Sequence, residues 1–417
     1  MKLTRFPRLT LSTAFRYISA ASMITVAASA RGQTSDLPTV QEVLRERFPD
    51  FLSRLRGEKS SPAKARLVDN FIAHLRNHGR PLVEDTTVHF VYQGTSRQVT
   101  VPSDLNSWNA TADTMVRIEG TDLFYLSKNV HRAARFEYKF VVDSSWILDP
   151  LNRQQAIGGY GPNSEVRMSA YVPPEEILPR KDSAHGSIDT IFFRSKVLGR
   201  THPVFVYLPK EYKHSSRTYP SIWVTDGGEY LSLALMNNVL DNMIADGRIE
   251  PVVGVFVDPR TDPRDSGTSM RMHDYTMSDT FAKALTVELL PHLLRKYRIS
   301  TAPEQTAIMG ASLGGLISTY IAYTKPEVFG LAAAQSPSFW WNNDTIIHLV
   351  RTGKTKKIRF YIDTGTIADA LAESRRMKAA LETKGYELSY AEYPEGHNWV
   401  NWRARLDDIL LYFWGKK

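Results

Sequence analysis

The sequence predicts an α/β fold, a largely parallel sheet with helices on both faces, preceded by an all-β sandwich and a short helical segment. Three observations predict it. From residue 188 onward, strand-like runs at 190–193, 204–208, 221–225, 252–257, 307–309, 331–334, 358–362 and 388–393 alternate, in their later part, with helical patterns. One such pattern is 281–297, where Pro291 marks an expected kink. Alternation of this kind is what crossover connections leave in a sequence, because parallel neighbours need a helix to return the chain. Between 82 and 172, β-rich alternating segments (86–92, 97–101 and 136–142) are separated by turn residues, as in a sandwich. Before them, Val40, Val43, Leu44, Phe48, Phe51, Leu52 and Leu55 recur at three- and four-residue spacing. Leu67, Val68, Phe71, Ile72 and Leu75 do the same after the Ser60-Ser61-Pro62 break, which predicts a helical hairpin.

The chain divides accordingly into a leader (1–30), a helical segment (31–80), the β module (81–174), a Pro- and charge-bearing linker (175–187) and the α/β domain (188–417). The leader reads as a signal peptide. Lys2, Arg5, Arg8 and Arg16 make a basic start, residues 17–27 an apolar core, and Ala28-Ser29-Ala30 a small-residue cleavage site. That core is too short to span a bilayer, so export is expected. Without the leader's four cations the formal charge of +8 falls to +4, and no basic run with interleaved aromatics remains to bind nucleic acid. Cysteine is absent, which excludes disulfides, thiol catalysis and cysteine-based metal sites. No cofactor or metal is expected.

Met309-Gly310-Ala311-Ser312-Leu313-Gly314-Gly315 reads as a nucleophile elbow, with an apolar strand before it and helical spacing after it. Small residues flank the serine because a side chain there would strike the neighbouring strand or helix. A serine hydroxyl needs a base. His397 fits best: it follows the last predicted strand in Pro394-Glu395-Gly396-His397-Asn398-Trp399 and precedes the final helix. His292 and His348 fall in helical patterns and His185 in the linker, while His273 could line the pocket. The acid should follow the strand at 358–362. Asp369, past the Thr364-Gly365-Thr366 turn, is the first choice, with Asp363 and Glu373 open. Two backbone N–H groups for an oxyanion are expected from Leu313 and from Gly227, in Val224-Thr225-Asp226-Gly227-Gly228. Such a base predicts a rate that falls below about pH 6.

These residues carry a resemblance. Thr225-Asp226-Gly227, Glu288-Leu289-Leu290-Pro291, Gly310 to Gly315, Gln335-Ser336-Pro337-Ser338-Phe339-Trp340-Trp341 and Gly396-His397-Asn398-Trp399-Val400-Asn401-Trp402-Arg403 make residues 188–415 similar to the esterase D family of α/β-hydrolases, its enterochelin esterase branch in particular. Residues 101–108, 136–140 and 149–152 resemble an immunoglobulin-like module found before many glycan-active enzymes. Its Trp108 and Trp146 could stack on sugars, though such rings are more often core or interface residues. The resemblance implies a cofactor-free esterase working through an acyl-enzyme on triserine-lactone catecholate siderophores. Feruloyl or acetyl ester cleavage on polysaccharides and acyl transfer on the same scaffold are the alternatives. A glycan-binding protein with an inert hydrolase domain is disfavoured by the Ser312/His397 pair. Two departures stand out: the leader, and the loop 258–267, which differs from the short basic loop of siderophore hydrolases. Trp340, Trp341 and Trp399 would supply an aromatic wall, and Arg260, Arg264, Arg271 and Arg403 positive charge for an anionic small-molecule ester.

Overall fold

The computed structural model describes residues 46–181, 185–264 and 266–416. The expected signal peptide, and Val40, Val43 and Leu44 of the first helical run, lie outside the described residues. The remainder of the hairpin forms as Phe48–Gly57 and Ser61–His78. Each helix opens with a proline in its first turn, where the missing N–H costs nothing. The second closes at Gly79, whose φ of 66° lets its N–H reach Leu75 O. The apolar stripes of both meet each other and the β module through Phe48, Phe51, Leu55, Phe71, Val91 and Leu123.

The β module consists of three small antiparallel sheets. Strands β1 (Leu82–Glu84), β2 (Thr87–Gln93), β4 (Val116–Arg117) and β5 (Leu123–Asn129) pair in the order β1-β2-β5-β4. A second sheet, β3-β7-β8, joins Val99–Thr100, Phe140–Val142 and Ser145–Ile147. The third, β6-β10-β9, joins Arg135–Tyr138, Gly161–Arg167 and Gln155–Gly158. The run expected at 136–142 is therefore two strands in two sheets, divided at Lys139, whose N–H donates to Pro102 O instead of to a ladder. Along β6, Phe136 and Tyr138 enter the module core with Phe90 and Phe140. Period-2 geometry then turns Arg135 and Glu137 to the opposite face, yet both are buried. That face meets the α/β domain.

The α/β domain is built on one eight-stranded sheet in the order β11-β12-β14-β13-β15-β16-β17-β18. Its strands are Ser187–Arg194, Thr201–Leu208, Ser221–Thr225 (β13), Val253–Val257 (β14), Thr306–Ala311 (β15), Leu331–Gln335 (β16), Arg359–Gly365 (β17) and Glu387–Tyr393 (β18). The first two pairings are antiparallel and the rest parallel. Helices cover both faces, so alternate residues of one strand feed different cores. Trp223 packs with Ile308, Leu316 and Phe360, whereas Ile222 and Val224 pack with Met309, Tyr361 and Leu410. The expected helix at 281–297 forms with a π segment at Ala284–Leu289 just before Pro291. Proline cannot donate to a carbonyl four residues back, and a wider turn absorbs the defect. The described part of the linker is fastened: Asn242 Nδ2 donates to Glu176 O and Leu178 O at 2.7 and 2.9 Å, and Ile177 is buried. No described helix is long and apolar enough to cross a membrane.

Candidate active site

Ser312 stands between β15 and the helix Leu313–Thr324 with φ 58° and ψ −123°, a conformation that costs a non-glycine residue about 1–3 kcal/mol. The surroundings hold it there. Its N–H donates to Gln335 O at 2.9 Å, and its carbonyl accepts from Ser338 N and Leu316 N at 3.0 and 3.1 Å. The flanking glycines are sterically required. A Cβ on Gly310 would come within 2.0 Å of Thr225 Oγ1, and one on Gly314 within 2.6 Å of the same oxygen.

His397 lies in the turn after β18. Its Nδ1 is 2.7 Å from Asp369 Oδ1, and its ring meets Trp402 edge-on at 5.0 Å. Asp369, its side chain fully buried, accepts three further bonds: Ser336 Oγ and Gly365 N at 2.6 Å and Ala370 N at 2.7 Å. Burial opposes its charge, but the hydrogen bond and charge of His397, with Ser336 and Ala370, hold its pKa below the usual carboxylate value. The other two carboxylates are engaged elsewhere. Asp363 accepts from Gln335 Nε2 at 3.1 Å, and burial pushes its pKa up to about 8. Glu373 pairs with Arg376. Ser312 Oγ has Ser338 Oγ as its hydrogen-bond partner at 3.2 Å; among the described residues it makes no bond to the imidazole.

Leu313 and Gly227 each open a helix (Leu313–Thr324 and Gly227–Ser232), where the first N–H groups have no intrahelical acceptor. Their parent strands are neighbours, with Val224 opposite Met309, so both helix starts emerge side by side at the carboxyl end of the sheet. That is where open α/β sheets bind ligands. Arg271 braces this corner: it pairs with the buried Asp226 at 2.8 and 3.0 Å and donates to Ala311 O at 3.2 Å. Asp226 N–H in turn donates to Tyr275 Oη at 2.8 Å.

The remaining arginines singled out by sequence divide into two groups. Arg260 pairs with Asp258 and Glu229 next to Gly228, and Arg264 pairs with Asp262 and lies over the Phe192 ring. Arg403 is different. It forms no ion pair with a described residue, its Nε is buried without a partner, and burial together with the Arg135 charge lowers its pKa. Trp399 packs edge-on against Tyr230 and Trp402, while Trp340 is half exposed with Trp341 6.0 Å behind it. His273 pairs with Asp274, Trp146 is exposed on the β module, and Trp108 Nε1 donates to Asp104 at 2.9 Å. Sequence reasoning gave no role to Ser336, Ser338 or Trp402. All three sat in the motifs quoted above, and Ser336 accepts from Trp402 Nε1 at 3.0 Å while donating to Asp369.

A strained serine at the end of a central parallel strand, with a His–Asp pair on the loops of the next strands, defines an α/β-hydrolase. The Esterase family model matches residues 195–413, and the chain belongs to that family; it is a carboxylic ester hydrolase. The chain is 22% identical over 347 residues to an iron(III) enterobactin esterase of Escherichia coli, an alignment covering 73% of this chain and 83% of that protein. A ferric enterobactin esterase structure from Salmonella typhimurium superposes with a TM-score of 0.70 at 21% identity, covering 82% of this chain and 98% of that one. An endo-1,4-beta-xylanase/feruloyl esterase of Xylanibacter ruminicola is 29% identical over 160 residues, 36% of this chain and 22% of that protein.

Proposed function

We propose that this chain is an exported serine esterase that hydrolyses catecholate siderophore esters of the enterobactin type. The observation that carries the chemistry is the Asp369–His397 hydrogen bond together with a serine held at positive φ at the carboxyl end of the same sheet. Ser312 Oγ swings from Ser338 to the imidazole, gives its proton to His397 Nε2 and attacks the ester carbonyl. Asp369 fixes the tautomer that leaves Nε2 free and supports the imidazolium. The N–H groups of Leu313 and Gly227 donate to the carbonyl oxygen and stabilise the negative charge developing on it. Collapse of the tetrahedral species breaks the C–O bond, and the leaving alkoxide takes the proton from His397. Water then repeats the sequence on the acyl-serine, with His397 again as base, and frees the acid and Ser312.

The substrate reading rests on the enterobactin esterase relatives and on charge. Of the four arginines expected to meet an anion, Arg260, Arg264 and Arg271 are already paired to carboxylates. Arg403, in the helix that follows His397, has no carboxylate of its own among the described residues. An anionic catecholate would offer it a counter-charge, and Trp340, Trp341 and Trp399 would face the catechol rings. The feruloyl esterase relative keeps feruloyl ester cleavage as the second reading. Incubation with a set of esters tests the choice: the proposal requires the catecholate triester to be cleaved with kcat/KM at least tenfold above a feruloyl arabinoside. Fractionation of the source cells, with the protein found outside the cytoplasm and beginning near residue 31, tests export.

A further inference from the structure

The β module reaches into the turn that carries His397. Arg135 is fully buried on β6. Its Nη1 donates to Asn398 Oδ1 at 2.9 Å and to Glu137 at 3.0 Å, and its Nε donates to Glu165 at 2.7 Å. Its backbone N–H bonds Pro394 O at 3.1 Å. From the same side, Asp104 Oδ2 accepts from Asn398 Nδ2 at 3.1 Å and from Glu137 N at 2.9 Å. Asn398 is thus held at both ends of its amide by a different domain. Gly396, on the other side of the histidine, packs so closely on Asp104 that a Cβ would come within 2.7 Å of its Cγ. Among the described residues His397 itself has Asp369 as its hydrogen-bond partner, and it is partly exposed. The backbone that presents its ring to Asp369 and Trp402 is therefore fixed by the two residues clamped beside it.

We propose that Asp104, Arg135 and Asn398 are positioning residues for His397, so that the β module is a working part of the active site. The inference rests on the serine-esterase reading for its kinetic consequence. Displacing a base by about 1 Å costs about 100-fold in rate. A clamp that only glued two domains together would cost stability without selecting kcat.

The test uses the whole chain without its leader. Asp104→Ala removes the acceptor facing Asn398. Asp104→Asn keeps a side-chain oxygen able to accept from it. Tyr138→Phe removes a buried 2.7 Å bond to Asp149 in the same module, away from the turn. With a nitrophenyl ester at saturation, Asp104→Ala is expected to lose about 100-fold in kcat with KM within twofold. Asp104→Asn should recover most of the loss, and Tyr138→Phe should match the wild type. The far-downfield proton resonance of the His397–Asp369 bond should broaden or vanish in Asp104→Ala alone. An unchanged kcat in Asp104→Ala overturns the proposal, as does a comparable loss in Tyr138→Phe. Absence of any Ser312-dependent hydrolysis in the wild type would sink the esterase reading instead. The proton resonance would still decide the inference: its survival in Asp104→Ala refutes it.

Discussion

Replacing Asp369 with asparagine removes one charge and one acceptor from a carboxylate that accepts four hydrogen bonds. Two of them, from Ser336 Oγ and Gly365 N, fall on Oδ2, and two, from Ala370 N and His397 Nδ1, on Oδ1. If the new NH2 takes the Oδ2 side, it faces the Gly365 N–H, and that buried donor loses its acceptor at a cost of about 1–3 kcal/mol. If it takes the Oδ1 side, it faces the Ala370 N–H and forces His397 Nδ1 to present a lone pair. The ring proton then moves to Nε2, where it blocks the serine. Either orientation also leaves the imidazolium of the transition state without its counter-charge. The wrong tautomer alone costs about 10⁴ in kcat in a serine protease triad, or about 5.4 kcal/mol at 1.36 kcal/mol per decade. A loss of 10³–10⁴ is therefore expected for Asp369→Asn, measured as the acylation rate on a nitrophenyl ester. The stability side has a definite sign. Because Asp369 is held below its usual value, its charge stabilises the fold above about pH 4 and that contribution is lost as pH falls through the folded value. The gap in unfolding free energy between wild type and variant should accordingly narrow on acidification. A kcat within threefold of wild type would refute the assignment, more so if Glu373→Gln or Asp363→Asn abolished turnover instead.

Three other outcomes are expected. Ser312→Gly should abolish hydrolysis and raise stability by about 1–3 kcal/mol, because glycine adopts φ 58° without strain; thermal unfolding reads it, and a lower midpoint would contradict the strain argument. Asp363 carries a proton in the fold up to about pH 8, and the unfolded chain releases it near pH 4. Stability from this group is therefore lost progressively between about pH 4 and 8, and Asp363→Asn should gain on the wild type across that window in denaturant titrations. A constant difference would show that Asp363 is ionised in the fold. Gly310→Ala should yield little soluble protein, since its methyl would overlap Thr225 Oγ1 and the Gly314 backbone; a folded, active Gly310→Ala protein would mean that the elbow yields more than its packing implies.

What the sequence made legible was local. The elbow, the turn around His397 and the alternation of strands and helices each lie within a few residues of chain, where sterics and periodicity write directly into residue type. The strand at 221–225 falls where expected and the other strand bounds lie within three residues of expectation, whereas the division of 136–142 at Lys139 depends on Pro102, a partner distant in sequence. Asp104 and Arg135 left a weaker mark. A charged pair at 135 and 137, alternating with Phe136 and Tyr138, signals a buried polar face, but its partner Asn398 lies 263 residues beyond Arg135. No local pattern could have named it. The four arginines were alike as letters; only the presence of Asp226, Asp258 and Asp262 beside three of them separates them from Arg403.

The central claim is that Ser312 opens a catecholate triester. Chromatography of enterobactin, iron-free and iron-loaded, after incubation with residues 31–417 and with the Ser312→Ala variant tests it most directly. The account predicts linear dihydroxybenzoyl-serine products that appear only with the intact serine. Cyclic triester left uncleaved by a protein that still hydrolyses a simple aryl acetate would contradict the siderophore reading, and products formed equally by Ser312→Ala would contradict the nucleophile.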